Sequence, residues 1–157
     1  VGQADSAQRA FPRNFDALQE IFDFTAAAFE RLGIDHQLLP SVDFAIEELF
    51  TNMVKYSTMS DALPEITLRA IADGVEVTLI DRGVEPFDVT QSPEVDIEVP
   101  VNERNPGGLG LHLIRRLVDS VEYDYNREER RSRTVFRKTL TAPPMSGASG
   151  KRRGKNC

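Results

Sequence analysis

Phe44-Ala-Ile-Glu-Glu-Leu-Phe-Thr-Asn-Met-Val-Lys-Tyr56 is the stretch from which the rest of the chain can be read. Val42, Ala45, Ile46, Leu49, Phe50, Met53 and Val54 recur at three- and four-residue steps. They make one apolar stripe, so the stretch is an amphipathic helix, expected to open at Ser41 after Pro40. Glu48 and Asn52 are four apart and share a face, and Lys55, three further on, adds a cation to it. At about 100° per residue that face is expected opposite the stripe. Its plainest reading is the solvent side of the helix.

Downstream, Ile66–Ile71 and Val75–Ile80 alternate apolar and polar residues around Ala72-Asp73-Gly74, the pattern of a hairpin. The second strand runs on into Asp81-Arg82-Gly83. A buried Asp there needs a partner, and a ligand amine suits it, although Asp and Gly are also common where a strand turns. Residues 84–107 show no lasting period and carry Pro86, Pro93, Pro100 and Pro106. Loops of that length inside a domain are usually functional lids. Asn105-Pro106-Gly107-Gly108-Leu109-Gly110-Leu111 follows and runs into a third helix, marked by Leu109, Leu113, Ile114, Leu117 and Val118. Glycines allow close backbone approach, and a helix start offers free N–H groups, so this can be a phosphate site or simply a hinge. Val121–Tyr125 and Thr134–Leu140 are two closing strands joined by a charged turn, Asn126 to Arg133.

Upstream, residues 7–13 read as an edge strand, because Pro12 cannot donate to a central ladder. Asn14 can cap a helix over 15–32, which Gly33 ends. Strands in pairs with helices between them imply a two-layer α/β sandwich with a mixed sheet.

The chain has 157 residues, 40% hydrophobic and 28% charged, enough for one domain with its own core. Its one cysteine, Cys157, excludes an internal disulfide and fits a reducing compartment. No run approaches the roughly 18 apolar residues of a membrane span, and Val1–Ser6 has no signal-peptide pattern. The chain opens without Met, so a fragment of a longer protein is one expectation. Residues 137–157 hold six basic side chains and no acid, which leaves 13 basic and 25 acidic residues in 1–136, a net charge of −12. An acidic body argues against direct nucleic-acid binding and suits a partner with a basic surface, or simply a soluble cytosolic one. Residues 142–157, rich in Pro, Gly, Ser and basic groups, are expected to be a disordered tail.

Taken in order, Glu-x-x-x-Asn on a helix, Asp-x-Gly at a strand end, a long lid and Gly-x-Gly at a helix start resemble the Bergerat ATP-binding fold of the GHKL superfamily. Within it the chain resembles the small anti-sigma factor serine kinases of bacteria. The resemblance covers roughly residues 8–141, with Phe44–Asn52, Asp81–Asp88 and Gly107–Asp119 matching the family's three boxes. It departs at Arg133, where the family often has Gly, and in the acidic lid residues Glu94, Asp96, Glu98 and Glu103.

The resemblance implies a mostly antiparallel sheet with helices on one face, a single domain over 1–141 and a lid over about 88–107. It implies Glu48 as general base and Asn52 as the Mg²⁺ ligand. Asp81 would accept from the adenine amine, with Thr134 beside it and Gly83 letting the base approach. Gly108 and Gly110 would line the ATP phosphates, with Lys55 and Arg104 as further phosphate contacts. Such a protein binds a sigma factor and phosphorylates a serine on a small antagonist, the anti-anti-sigma protein. It is cytoplasmic and usually a homodimer. The alternatives are an ATP-binding regulatory module without phosphotransfer, or an ATPase domain of a larger signalling protein. As a first test, ATP with Mg²⁺ should slow hydrogen exchange over residues 88–107, because phosphate contacts order such segments. Equal exchange with and without nucleotide would mean the loop is no lid.

Overall fold

A computed structural model describes residues 5–57, 59–91 and 108–140. Strand β1 (Ser6–Ala10) leads to helix α1 (Ala17–Leu32), and a 3-10 turn, His36–Leu38, leads into helix α2 (Leu39–Tyr56). Strands β2 (Glu65–Ile71) and β3 (Gly74–Arg82) form a hairpin. A second 3-10 turn, Val89–Gln91, precedes helix α3 (Gly108–Leu117) and the strands β4 (Ser120–Asn126) and β5 (Arg131–Thr139). Most of the expected lid, 92–107, and the expected tail, 142–157, fall outside the described residues.

The α/β architecture is the expected one, with five strands in the order β1-β2-β3-β5-β4. The sheet is wholly antiparallel among the described strands rather than mixed. β1 and β3 do run the same way, as do β3 and β4. In each case a hairpin partner, β2 or β5, inserts itself between the two and takes up their hydrogen bonds.

Val75, Val77, Leu79 and Asp81 are buried along β3, whereas Glu76, Thr78 and Ile80 between them are less so. One face of the sheet therefore carries the core, made with the helices from Phe11, Phe29, Phe50, Ile114 and Phe136 among others. The other face carries a row of charges, one from each of four strands. Glu76 pairs with Arg69 at 3.0 Å and Arg137 at 2.9 Å, and Arg137 reaches Glu122 at 3.2 Å. Burial pushes the Glu76 carboxyl up, but the two guanidinium groups outweigh it and hold the carboxyl below its ordinary range.

Several boundaries differ from the expected ones for local reasons. α2 opens at Leu39, two residues before Ser41, because Pro40 fits the first helical turn, where its missing N–H is not needed. The Asn14 side chain accepts from the Ala17 N–H at 3.1 Å, so it does serve the start of α1. β5 opens at Arg131, because Arg130 adopts a φ of 48° and the Asn126 side chain accepts from the Glu129 N–H at 3.0 Å, which closes the turn early.

At the β2–β3 hairpin the left-handed residue is Asp73, with φ 56°, not Gly74. Gly74 answers a different constraint. A Cβ there would run into the Lys138 carbonyl oxygen and come within 2.8 Å of the Thr139 Cα on β5. Both obstacles are backbone. Gly74→Ala should therefore cost about 1–3 kcal/mol, read as a lowered denaturation midpoint. An unchanged midpoint would show that β3 and β5 are not this closely spaced.

Candidate functional site

The site begins with sheet register. Leu79 faces Thr134 and Asp81 faces Ser132 across β3 and β5, so Asp81 and Thr134 lie on the helix-covered face. α2 passes over them. Leu49, Asn52 and Met53 meet Asp81, Ser132 and Thr134 around a cavity of about 150 Å³, closed on another side by Val84 to Phe87 and Val89. Three of its polar lining residues are deeply buried, Asp81 at 1% exposure, Thr134 at 4% and Asn52 at 5%.

Asn52 is thus not on a solvent face. Ala45, Leu49 and Asn52 stand at steps of four and three, so Asn52 continues a buried row of α2 rather than opposing it. Among the described residues its Nδ2 has no hydrogen-bond partner. A buried amide without a partner is costly, which marks this end of the cavity as a place for a polar ligand.

Asp81 already has a partner. Arg13 grips it with both terminal nitrogens, Nη2 to Oδ1 at 2.5 Å and Nη1 to Oδ2 at 2.9 Å. The edge-strand reading of residues 7–13 missed Arg13, which lies just past β1 and meets a residue 68 positions away. Gly83 turns the chain directly after β3 with a φ of 69°, a region that disfavours side chains.

The next wall of the cavity is held by β4. The Tyr125 hydroxyl donates to the Val84 carbonyl at 2.7 Å, and the Phe87 N–H donates to the Tyr123 hydroxyl at 2.9 Å. Burial raises the Tyr123 phenol and outweighs the Phe87 hydrogen bond, which lowers it, so it keeps its proton. Phe87 also stacks on Tyr56, with centroids 5.4 Å apart and planes 19° from parallel. The periodicity of β4 gave these tyrosines a strand but no role.

Glu48 lies one turn before Asn52 on α2 and is half-buried. The start of α3 comes against it: a Cβ on Gly110 would strike Oε2 and lie 2.6 Å from Cδ. Burial raises the Glu48 carboxyl, the charge of Glu47 raises it further, and Lys55 opposes both. Lys55 itself is exposed. Gly108 is the first residue of α3, and Arg104 falls outside the described residues.

Two clusters result: Asn52, Asp81 and Thr134 around one cavity, and Glu48 with Gly110 beside it. At about 150 Å³ the cavity is below the roughly 300–1,000 Å³ of a pocket for a whole ligand, so it fits a ring and leaves any charged tail outside. Asp81 and Thr134 offer that ring an acceptor and a hydroxyl. The unpartnered Nδ2 of Asn52 is a donor and suits an acceptor such as a phosphate oxygen, while the carbonyl oxygen of the same amide is the kind of ligand Mg²⁺ takes, so the residue fits a magnesium nucleotide.

Residues 11–138 match the family described as the histidine kinase-like ATPase domain. The chain is 25% identical over 126 residues to the serine-protein kinase RsbW of Halalkalibacterium halodurans, covering 78% of this chain and 77% of that protein. It is 31% identical over 102 residues to the RsbW of Listeria monocytogenes, covering 61% and 64% of the two. The match to the Oceanobacillus iheyensis RsbW is 30% identical and spans 61% of that relative's length. A crystal structure of the RsbU and RsbW domains of a Mycobacterium tuberculosis protein shares the fold, with a TM-score of 0.59 at 16% identity, over 88% of this chain and 33% of that one.

The obstacle to a side chain at Gly110 is the flexible end of Glu48, not backbone. Gly110→Ala should therefore keep or raise the melting temperature, since Ala favours a helix over Gly by about 1 kcal/mol. It should also turn Glu48 toward water. Carboxyl NMR titration should then find Glu48 above the ordinary glutamate range in the parent and nearer to it in the variant. A lowered melting temperature with Glu48 unmoved would mean that the backbone, not the carboxylate, gives way.

Proposed function

We propose, from the premise that this chain belongs to the histidine kinase-like ATPase family of the GHKL superfamily, that it is an anti-sigma factor and an ATP-dependent protein serine kinase. Its substrate would be a small anti-anti-sigma antagonist that competes with a sigma factor for it. The observation that carries the reading is the convergence of three buried polar groups, Asn52, Asp81 and Thr134, on one cavity with the raised carboxyl of Glu48 alongside. The kinase domain would span 1–141, act in the cytoplasm and pair with a second copy. The likeness to relatives named serine-protein kinase supports phosphotransfer in place of bare nucleotide binding.

Each residue then has a physical task. Asp81 accepts from the exocyclic amine of adenine and Thr134 supplies a hydroxyl beside it. Gly83 keeps the turn free of a side chain where the base enters. Asn52 is the residue that would hold Mg²⁺, which would offset the charge of the phosphates when bound. The free N–H groups at Gly108 and Gly110 face the phosphates, with Lys55 and Arg104 as cations. Glu48 takes the proton of the serine hydroxyl as its oxygen bonds to the γ-phosphorus and the bond to the ADP oxygen breaks.

Incubation with the candidate antagonist and Mg-ATP, followed by intact mass spectrometry, should show one added phosphate. Glu48→Gln should bind ATP yet lose about 10²–10⁴-fold in rate. An antagonist that binds stably and gains no phosphate would favour the binding module without transfer. Because the base works deprotonated, the rate should rise with pH through the raised Glu48 value. Glu47→Gln removes a charge that raises it, so the acid limb should move to lower pH. A limb that stays put would take Glu48 out of the role of base.

A further inference from the structure

Arg13 stands behind the cavity and not in it. It follows Pro12, outside both β1 and α1, and its side chain is 10% exposed. Its guanidinium joins three segments. Besides both oxygens of Asp81, it donates through Nη2 to the Ala62 carbonyl at 2.9 Å and through Nη1 toward the Met53 carbonyl at 3.5 Å. Asp81 lines the cavity and Arg13 does not. The guanidinium therefore meets the carboxylate from the far side. A carboxylate has about four lone-pair positions, and Arg13 takes two of them.

We propose that Arg13 is a positioning residue for base recognition: its paired hydrogen bonds fix the plane of the Asp81 carboxylate so that a lone pair faces the exocyclic amine of the purine. The inference rests on the nucleotide reading above. An Asp side chain has a broad terminal torsion, so a single contact does not set where its oxygens point. Two parallel N–H bonds from a rigid fork do set it. Lysine, a point charge on a flexible stem, can neutralise the carboxylate but cannot hold its plane. A competing plug would have to reach into the cavity, which Arg13 does not.

The test compares ATP with purine riboside triphosphate, which lacks only the 6-amino group, by calorimetry with Mg²⁺ on the full chain. The parent should prefer ATP by about tenfold to a hundredfold, the worth of a hydrogen bond to a charged group. Arg13→Lys, checked for folding by circular dichroism, should lose most of that preference while its affinity for the nucleotide without the amine changes little. A purely structural role would weaken both nucleotides alike and leave the ratio intact, and that result would overturn the proposal. Parent binding of ATP without any preference for the amine would overturn it as well. Should the lysine variant not fold, a crystal structure of the parent with ATP decides: the Arg13–Asp81 pair must persist with the amine on the opposite side, and a broken pair sinks the idea. A parent that binds neither nucleotide removes the nucleotide reading, and this inference with it.

Discussion

Asp81 carries a carboxylate at 1% exposure, where a charge without a partner costs several kcal/mol. That constraint organises the molecule. The counter-charge comes from Arg13, 68 residues earlier, so the segment leaving β1 must pass the end of β3. The Ala62 and Met53 carbonyls accept from the same guanidinium, which ties the approach to β2 and the last turns of α2 to that place. Breaking such a pair by removing one partner is far worse than never having built it. The two residues are thus needed together, at a carboxylate that also lines the cavity.

The hairpins, the helices and their order could be read from the chain because each is a local pattern: period two for β2 and β3, three- and four-residue steps for α1 and α2, glycines before α3. What could not be read is what depends on distant packing. Asn52 was expected opposite the apolar stripe, yet its spacing from Leu49 and Ala45 puts it in line with a buried row. A polar residue counts against the apolar side of a helix in any pattern reading, and only the cavity above Asp81 makes its burial tolerable. Arg13 gave no signal at all, because its partner lies on another strand. The sheet looked mixed because strands of like direction are separated by hairpin partners, which element order alone does not reveal.

Glycine shows the same division. Gly74 sits in a sequence that spells a tight turn, but the left-handed residue there is Asp73, and Gly74 is required by the backbone of β5. Gly110 sits in a Gly-rich helix start, and its missing side chain makes room for a carboxylate on α2. Both positions could be picked out in the sequence as glycines with a purpose. Which atoms filled the space could be known only from the fold.

α2 is short of positive charge where an anionic ligand would need it. Burial raises both Asp43 and Glu48, and the charge of Glu47, on the same helix, raises both further. The Thr25 hydroxyl eases Asp43 with a hydrogen bond at 2.6 Å, and Lys55 eases Glu48. A cluster of carboxylates that makes a stronger base also repels phosphates, so the two demands on α2 conflict. The fold resolves them by position. Asp81 and Thr134, which would take the base, sit below α2 on the sheet, whereas the start of α3, with its positive dipole end, comes against Glu48. On the proposed reading, phosphates would therefore be balanced by α3, Lys55 and a metal ion rather than by further cations on α2. On α2 itself, burial and Glu47 still hold the Glu48 carboxyl above its ordinary value, the direction that strengthens a base.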